Sequence, residues 1–393
     1  MATMLLPARF LGIFFAASIV SSSFATAEDT RPLTAIYPAD SWERIDQSVD
    51  KALVWLSKRQ AADGSFQAGH VMAQPAVTSF AIMAFLSRGH APGHGPYGEA
   101  LTRAIDYTLL CQHRDGYFAA EGIIPDFRTE QNAPLPANKV LTSLPNSVAT
   151  SYNHAITSVM LAEVFGMVGD QQSYRIKTAL DKSLIFTYRL QDKNKYPAED
   201  QGGWRYLEIG HNGRDSDLSL TTWYLTFLRA AKNAGFEIPE RRVEMAVAYA
   251  RMCYSPTRRD FNYNVDREEP RTAMTGAGAL CLALAGKHDD PRLPIVAEKL
   301  QRINFSRLLT STGMTREFPM YASYYSSQAA AQIGGTCWEN TYKNISRALI
   351  STQKPDGSWE NFWRAKWAGD CYSTSLGVLS LTTPYQLLPI YQR

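Results

Sequence analysis

The amino-acid sequence predicts an all-α fold, an α/α toroid in which about six helical hairpins form an inner and an outer ring. A turn of the form Gln-x-x-x-Gly-x-aromatic recurs along the chain. The helix before each turn is amphipathic, and the helix after it is apolar or small on nearly every face. This asymmetry suits two layers, because an outer helix keeps one wet face whereas an inner helix is covered on both sides. Closure of such hairpins into a ring also removes the exposed ends of an open solenoid.

The predicted helices alternate between the two rings. Apolar residues at helical spacing predict outer helices at residues 42–56, 104–110, 179–190, 243–252, 295–303 and 345–352. Runs of apolar and small residues predict inner helices at residues 76–86, 153–165, from 217 onward, 273–285, 324–333 and 373–381. A long loop rich in Pro and Asn is predicted between residues 123 and 147. The fourth and fifth hairpins have the least regular turns.

The recurring turn has a mechanical interpretation. It stands at residues 60–66, 112–118 and 353–359, with a variant between Gln191 and Trp204. Gly64, Gly116 and Gly357 each follow an Asp, a pair that favours a tight turn with positive φ. We expect the aromatic side chain to pack between neighbouring hairpins, and the Gln amide to tie the end of its helix to the next turn.

The first 27 residues have the pattern of a secretory signal peptide. Arg9 supplies a positive charge, residues 10–20 form a short apolar run, and Ala25 and Ala27 form a small-residue cleavage site. The run is too short to span a bilayer by itself. We therefore expect an exported protein of the periplasm or cell envelope, with a single toroid domain at residues 28–393. An uncleaved anchor is the alternative.

The turn motif at the end of an outer helix resembles the repeat signature of the terpenoid cyclase and protein prenyltransferase superfamily. The segments GGWRY, YNHAITSVMLAEVFGMVGD and CYSTSLGVLSL look like the bacterial prenyltransferase and squalene oxidase repeat (squalene cyclase-like) proteins, whose activity is largely undefined. The resemblance covers most of the chain after residue 27 and implies the toroid fold.

This resemblance also implies a candidate acid. Triterpene cyclases of the squalene–hopene type carry Asp-x-Asp-Asp-Thr at the start of an inner helix, and the second Asp protonates the isoprenoid. Residues 215–219 match this pattern at Asp215 and Asp217, whereas Leu218 replaces the third acid. The implied catalytic acid is Asp217, with Asp215 as its partner. A structural interpretation stays open, because Asp is a favoured N-cap residue.

The zinc prenyltransferases of the superfamily offer a second pattern, a His within Asp-x-Tyr-His-Thr. Residues 370–374 resemble it, but Ser373 stands in place of the His. A three-ligand zinc site needs that residue, so the sequence predicts no metal and no cofactor. Net charge is +3 and the basic residues are scattered, which argues against a nucleic-acid partner.

Polar and aromatic residues near the beginnings of inner helices are candidates for a cavity lining. Aromatic ring faces attract cations and would suit a carbocation or an apolar ligand. The open alternatives are ordinary core packing and, for the histidine, a hydrogen bond at a helix end. The candidates are Tyr152, Asn153, His154, Trp223, Tyr324, Tyr325 and Tyr372.

These observations lead to one functional hypothesis and two alternatives. The leading hypothesis is cyclisation or binding of an apolar, isoprenoid-type small molecule in a central cavity. If the protein is an enzyme, the reaction would be initiated by an acid. The alternatives are a non-catalytic scaffold or binding toroid of the cell envelope, and a carbohydrate-active enzyme. Proximity to a membrane is compatible with each, without a transmembrane helix after residue 27.

Overall fold

A computed structural model of the chain describes residues 32–120, 144–207, 213–265, 271–310, 317–361 and 365–392, with side chains from residue 148 onward in the second range. The predicted signal peptide at residues 1–27 lies outside the described residues, as do residues 123–143 of the predicted loop. No helix of the described ranges is both long and apolar enough to cross a membrane.

The described helices form two rings. The outer ring and its short additional helix consist of α1 (Ala39–Ser57), α3 (Gly98–Leu110), α5 (Asp170–Asp192), α7 (Glu240–Met252), α9 (Arg292–Gln301), α10 (Phe305–Thr310) and α12 (Gly335–Thr352). The inner ring consists of α2 (Ala76–Leu86), α4 (Leu144–Val164), α6 (Leu218–Asn233), α8 (Thr272–Leu284), α11 (Pro319–Ile333) and α13 (Asp370–Leu381). The predicted all-α toroid is therefore confirmed.

Burial follows the hydrophobic pattern of each helix. All residues of α2 are buried, whereas α1 buries the face that contains Ile45, Val49 and Leu53. The period of three to four residues in α1 places these side chains on one side of the helix, against the inner ring. The inner helices pack in the order α2, α4, α6, α8, α11 and α13, and α13 also packs against α2. The inner ring is therefore closed.

The Gln of each recurring turn connects adjacent hairpins. The Gln353 amide nitrogen donates to the carbonyl oxygens of Gly357 and of Ser48 in α1, both at 2.8 Å. The Gln60 amide makes the same two bonds, to Gly64 at 3.0 Å and to Ala100 in α3 at 2.7 Å. The predicted tie is confirmed, and the tie from Gln353 joins the last hairpin to the first.

The variant third turn keeps this geometry despite its inserted residues. The Gln191 amide donates to the carbonyl oxygens of Gly202 at 2.9 Å and of Arg242 in α7 at 3.0 Å. The Trp204 ring stacks on Tyr224 with centroids 5.2 Å apart. The insertion therefore lengthens the connection before the turn and leaves the turn itself intact.

Two elements differ from the sequence-based predictions. Helix α4 begins nine residues before the predicted start at 153, and α11 begins at Pro319 rather than at residue 324. Pro145 and Pro319 stand in the first turns of these helices, where proline is tolerated because its missing N–H would have no partner within the helix. The weak fourth turn contains a two-residue antiparallel pair, β1 (Tyr254–Ser255) and β2 (Asp260–Phe261).

Residues 383–391 cover the end of the ring at which the inner helices terminate. The Gln332 amide of α11 donates to the Tyr391 carbonyl at 2.8 Å, and the Ile390 N–H donates to the Glu163 carboxylate of α4 at 3.2 Å. Glu163 is 3% exposed. Burial raises the pKa of this carboxyl group to about 8, and the Ile390 N–H opposes the rise. The Glu163 carboxyl group therefore connects α4 to residues 383–391 at this end of the ring.

The raised pKa of Glu163 predicts a loss of stability with increasing pH. The folded protein keeps the proton up to about pH 8, whereas an unfolded Glu releases it near 4.5. Because the folded state binds more protons in this window, its stability decreases as pH rises through it. We expect the melting temperature to fall by several degrees, since each pKa unit corresponds to about 1.4 kcal/mol. The Glu163→Gln variant should lack this decrease, and equal slopes in thermal scans of both proteins would contradict the assignment.

Candidate functional site

A cavity of about 350 Å³ lies between the N-terminal halves of the inner helices. Each inner helix, or the residue just before it, contributes to the wall. Representative lining residues, in ring order, are Ala76, Tyr152, Ser219, Met274, Phe318 and Tyr372. The opposite end of the ring is covered by residues 383–391, so the cavity belongs to one end only.

The two sides of the cavity differ in polarity. Helices α2, α4 and α13, with the segments before them, supply mainly apolar side chains such as Val77, Phe80 and Ile156. Across the ring, the approaches to α6, α8 and α11 supply charged and phenolic groups. These are Arg205, Tyr206, Tyr263, Arg271 and Glu317. Helix α8 lies opposite α2, because two inner helices separate them in either direction around the ring.

Asp217 lies behind the charged side, outside the cavity lining. It is the N-cap of α6, and its Oδ1 accepts a hydrogen bond from the Leu220 N–H at 2.8 Å. Its Oδ2 accepts from the Tyr263 hydroxyl at 2.9 Å and lies 3.6 Å from Arg205 Nε. The side chain is fully buried. Burial raises the pKa of Asp217, while the Arg205 guanidinium opposes that rise.

A chain of hydroxyl groups connects this buried acid to the cavity. The Tyr263 hydroxyl lies 2.9 Å from that of Tyr206, and both rings line the cavity. Arg205 stacks over Tyr206, with Cζ 4.9 Å from the ring centroid, and donates from Nη1 to the Arg214 carbonyl at 3.1 Å. Tyr263 therefore lies between Asp217 and the cavity, and the Asp217 carboxylate does not itself line the cavity.

The structure does not bring Asp215 to the cavity. Its carboxylate accepts a hydrogen bond from the Tyr196 N–H at 2.9 Å and borders a small separate recess. Its own N–H donates to the buried Asp200 at 2.6 Å. These contacts fix the loop before α6. The two predicted acids, Asp215 and Asp217, thus have different surroundings and do not form a pair that faces one ligand.

Three of the predicted lining residues do face the cavity. The Tyr152 hydroxyl lies 2.9 Å from Ser219 Oγ, and the Tyr372 ring packs edge-on against Phe80 with centroids 5.7 Å apart. Asn153 lines the cavity and also caps α2, because its Oδ1 accepts from the Ala76 N–H at 3.1 Å. The Asn153 side chain therefore already has a hydrogen-bond partner in the structure.

The other four predicted lining residues lie in the core beneath or beside the cavity. His154 contacts Thr187 of α5 at 3.0 Å through Nε2, and burial lowers its pKa to about 3. Trp223 stacks on Tyr324 with centroids 5.6 Å apart, one helical turn below Ser219. The Tyr325 side chain packs against the aromatic rings of Trp223 and Tyr324. Inner helices are buried on every face, so an aromatic residue of an inner helix need not point into the cavity.

The sequence-based reasoning missed most of the charged side. Arg205 and Tyr206 directly follow the aromatic residue of the third turn, and Tyr263 stands two residues after Phe261 of the fourth. The position just after a turn aromatic was the available signal, because each turn leads toward the start of an inner helix. Within the described residues, no three His, Cys, Asp or Glu side chains converge as a metal ion would require.

The fold resembles that of several solved structures, although no family model and no curated relative matches the chain. The type II terpene cyclase MstE from Scytonema aligns with a TM-score of 0.53 at 12% identity, over 88% of this chain and 100% of that chain. A glycosidase variant in complex with glucose aligns with a TM-score of 0.58 at 12% identity, over 90% of this chain and 100% of that chain. A protein from Actinoplanes aligns with a TM-score of 0.51 at 15% identity, over 87% of this chain and 100% of that chain.

These similarities define the class of protein: the chain is an α/α toroid of the kind found in a terpene cyclase and in a glycosidase. A variant of the Scytonema cyclase was solved with geranylgeranyl dihydroxybenzoate as substrate, at a TM-score of 0.51. At such low sequence identity the likeness concerns the fold alone.

Proposed function

We propose that the central cavity binds an isoprenoid-type molecule and that Asp217 supplies a proton to it, as in a terpenoid cyclase-like enzyme. The observation that carries this proposal is a mainly apolar cavity of about 350 Å³ with a fully buried acid behind its wall. Apolar walls favour a hydrocarbon because they release water from its surface. Phe80 and Tyr372 line the cavity, and aromatic rings of this kind can stabilise a positive charge.

The proposed proton transfer runs through Tyr263. In this step Asp217 is protonated and donates its proton to the Tyr263 oxygen. The Tyr263 hydroxyl, which donates to Asp217 in the structure, turns toward the ligand, and its proton moves to a carbon of the ligand double bond. The electron pair of that double bond forms the new C–H bond and leaves a carbocation. The resulting carboxylate lies 3.6 Å from Arg205, whose charge stabilises it. The phenol is neutral before and after the step, and a later loss of a proton from the ligand returns the acid to its starting state.

A carbohydrate-active enzyme is the second candidate, and Glu317 in the lining favours it. Most glycosidases use two carboxyl groups that flank the scissile bond. Among the described lining residues Glu317 is the single carboxylate, and Asp217 reaches the cavity only through Tyr263. The fold comparisons favour neither candidate, so the composition of the cavity decides our preference. A toroid that binds a ligand without turnover would keep the same cavity.

We also propose that the protein works outside the cytoplasm, in the periplasm or cell envelope. The support is the charge, the apolar run and the Ala-x-Ala site within residues 1–27. A fusion of residues 1–31 to a reporter that is active only after export would test this location, with Arg9→Glu as the variant expected to reduce export.

The binding proposal predicts the effect of filling the cavity. Val148 lines it and is partly exposed, so Val148→Trp should occupy cavity space without a large loss of stability. We expect wild-type protein to bind geranylgeranyl dihydroxybenzoate, and the variant to bind it more than roughly tenfold less tightly. The matched control is Val54→Trp, because Val54 lies on the outer helix α1 and is 44% exposed.

Isothermal titration calorimetry with geranylgeranyl dihydroxybenzoate and with glucose would separate the candidates. Binding of the prenylated compound that Val148→Trp weakens and Val54→Trp leaves unchanged supports the proposal. Binding of glucose alone, weakened by the same variant, would replace it with the carbohydrate function.

A further inference from the structure

Three hydroxyl groups of the cavity wall form a connected cluster, contributed by α4, α6 and α11. The Tyr152 hydroxyl lies 2.9 Å from Ser219 Oγ, which in turn lies 2.8 Å from the Tyr321 hydroxyl. All three residues line the cavity, and we call them the hydroxyl cluster. Ile156, one helical turn after Tyr152, also lines the cavity and is apolar. The hydroxyl cluster is therefore a polar point within a mainly apolar surface.

The Tyr321 hydroxyl is fully used by its neighbours within the protein. It accepts a hydrogen bond from Trp223 Nε1 at 2.6 Å, since an indole N–H can only donate. It also lies 3.1 Å from the Tyr325 hydroxyl and 2.8 Å from Ser219 Oγ. Three such neighbours occupy the donor position and both acceptor positions of a hydroxyl group. Tyr321 therefore anchors the hydroxyl cluster to the core beneath the cavity.

The Tyr152 hydroxyl lies at the other end of the hydroxyl cluster. In the part of the chain that the structure describes, Ser219 Oγ is its one hydrogen-bond neighbour. One contact uses either the proton or one lone pair of the phenol, so Tyr152 keeps further hydrogen-bonding positions. Ser219 Oγ has two neighbours, Tyr152 and Tyr321, and keeps one position. Because Tyr152 and Ser219 line the cavity, these positions are available to a bound molecule.

The hydrogen bonds along the cluster can run in either direction. In one arrangement Tyr325 donates to the Ser219 carbonyl oxygen at 3.4 Å and accepts from Tyr321. Tyr152 then donates to Ser219 and presents a lone pair to the cavity. In the other arrangement Tyr325 donates to Tyr321, and Tyr152 presents its O–H to the cavity. A ligand hydroxyl group fits both arrangements because it can donate and accept, whereas an ether oxygen fits only the second.

We infer that the ligand carries a hydroxyl group on its hydrocarbon skeleton, and that Tyr152 and Ser219 bind the oxygen of this group. This inference rests on the proposed function and adds the substrate class to it, an isoprenoid alcohol. Burial of a ligand hydroxyl group in an apolar cavity is costly without a hydrogen-bond partner, and the hydroxyl cluster supplies that partner. A hydrocarbon without oxygen would leave the available positions on Tyr152 and Ser219 unused.

Binding of three matched probes to wild-type protein and to Tyr152→Phe tests this inference. The probes are geranylgeraniol, its methyl ether and the hydrocarbon in which hydrogen replaces the hydroxyl group. Each dissociation constant is compared between proteins for the same probe, so differences in the hydration of the probes cancel. Tyr152→Phe should weaken the binding of geranylgeraniol about fivefold or more and change that of the hydrocarbon by less than about twofold. The methyl ether should respond less than geranylgeraniol does.

A second variant and a matched control locate the effect. Ser219→Ala removes the other hydroxyl group of the proposed contact and should also weaken geranylgeraniol more than the hydrocarbon. Tyr324→Phe is the control, because Tyr324 lies in the core beside Trp223 and its hydroxyl contacts that of Tyr391. This control makes the same chemical change as Tyr152→Phe and should alter the affinity for each probe by less than about twofold. Thermal scans of all three variants verify folding.

The outcomes distinguish this inference from the function on which it rests. If the probes bind to wild-type protein and Tyr152→Phe changes all three affinities equally, the hydroxyl inference is wrong and the isoprenoid proposal stands. A response of the methyl ether as large as that of geranylgeraniol would also overturn the assignment of a hydroxyl group. So would an equal loss of geranylgeraniol affinity in Tyr324→Phe. If none of the probes binds to the wild-type protein, both proposals fail.

Discussion

Replacing Asp217 with Asn is expected to abolish turnover while leaving the toroid folded. The amide has no proton acid enough to pass to Tyr263, so the proposed step loses its source. General acid catalysis contributes about 10²- to 10⁴-fold, and we expect a loss in that range in the conversion of geranylgeranyl dihydroxybenzoate. The measurement is product formation followed by chromatography and mass spectrometry, with product and substrate of equal mass for a cyclisation.

The Asp217→Asn variant should keep the N-cap of α6. Asn is as good an N-cap as Asp, so its oxygen can accept the Leu220 N–H bond that Asp217 Oδ1 accepts at 2.8 Å. The ion pair with Arg205 is lost, whereas the cost of burying the carboxylate, which raises the pKa of Asp217, is removed as well. We expect unchanged ligand affinity, because Asp217 does not line the cavity. Removing one member of a buried ion pair costs up to about 3–5 kcal/mol, so thermal scans must show that the variant is folded.

Asp215→Asn is the matched control for this experiment. It makes the same chemical change two residues away, where the carboxylate accepts from Tyr196 N–H and borders a separate recess. Activity should remain within about twofold of wild type. Turnover that persists in Asp217→Asn and disappears in Asp215→Asn would refute the assignment of the acid. Binding without turnover in all proteins, including wild type, would favour the non-catalytic toroid.

The fold could be predicted from the sequence because its signals repeat. The apolar run at residues 76–86 coincides with α2, and the positive φ expected at Gly64, Gly116 and Gly357 is observed, at 93°, 99° and 95°. The regular turns share one sequence pattern, so an irregular hairpin can be predicted from the regular hairpins on either side of it. The short helix α10 in the fifth hairpin escaped prediction because that hairpin departs from the repeat.

The cavity was harder to predict, because its lining depends on the direction in which each side chain points rather than on the residue type. Tyr152 faces the cavity and His154, two residues later, faces α5, although both lie in the same turn in the middle of α4. An inner helix is apolar on all faces, so periodicity does not reveal which face meets the cavity. Arg205 and Tyr263 come from connections between helices, where no periodic pattern exists.

Gly357→Ala is expected to destabilise the protein by several kcal/mol, because this glycine lies where the ring closes. A Cβ at Gly357 would be 2.5 Å from the carbonyl oxygen of Lys51 in α1, and its φ is +95°. The positive φ alone costs a non-glycine residue about 1–2 kcal/mol. The close contact adds to this cost, since either the turn or α1 must move, and movement would lengthen the Gln353 bonds to Gly357 and Ser48.

Gly166→Ala isolates the contribution of the close contact. Gly166 has a similar φ of +93°, but a Cβ there would meet no atom within 4 Å. The free energy of unfolding of this variant should decrease by about 1–2 kcal/mol, the cost of the backbone conformation alone. Urea denaturation followed by circular dichroism would give both values. A difference of about 2 kcal/mol or more supports a tightly closed ring. Equal losses would mean that the sixth turn and α1 separate easily, and that closure contributes little to stability.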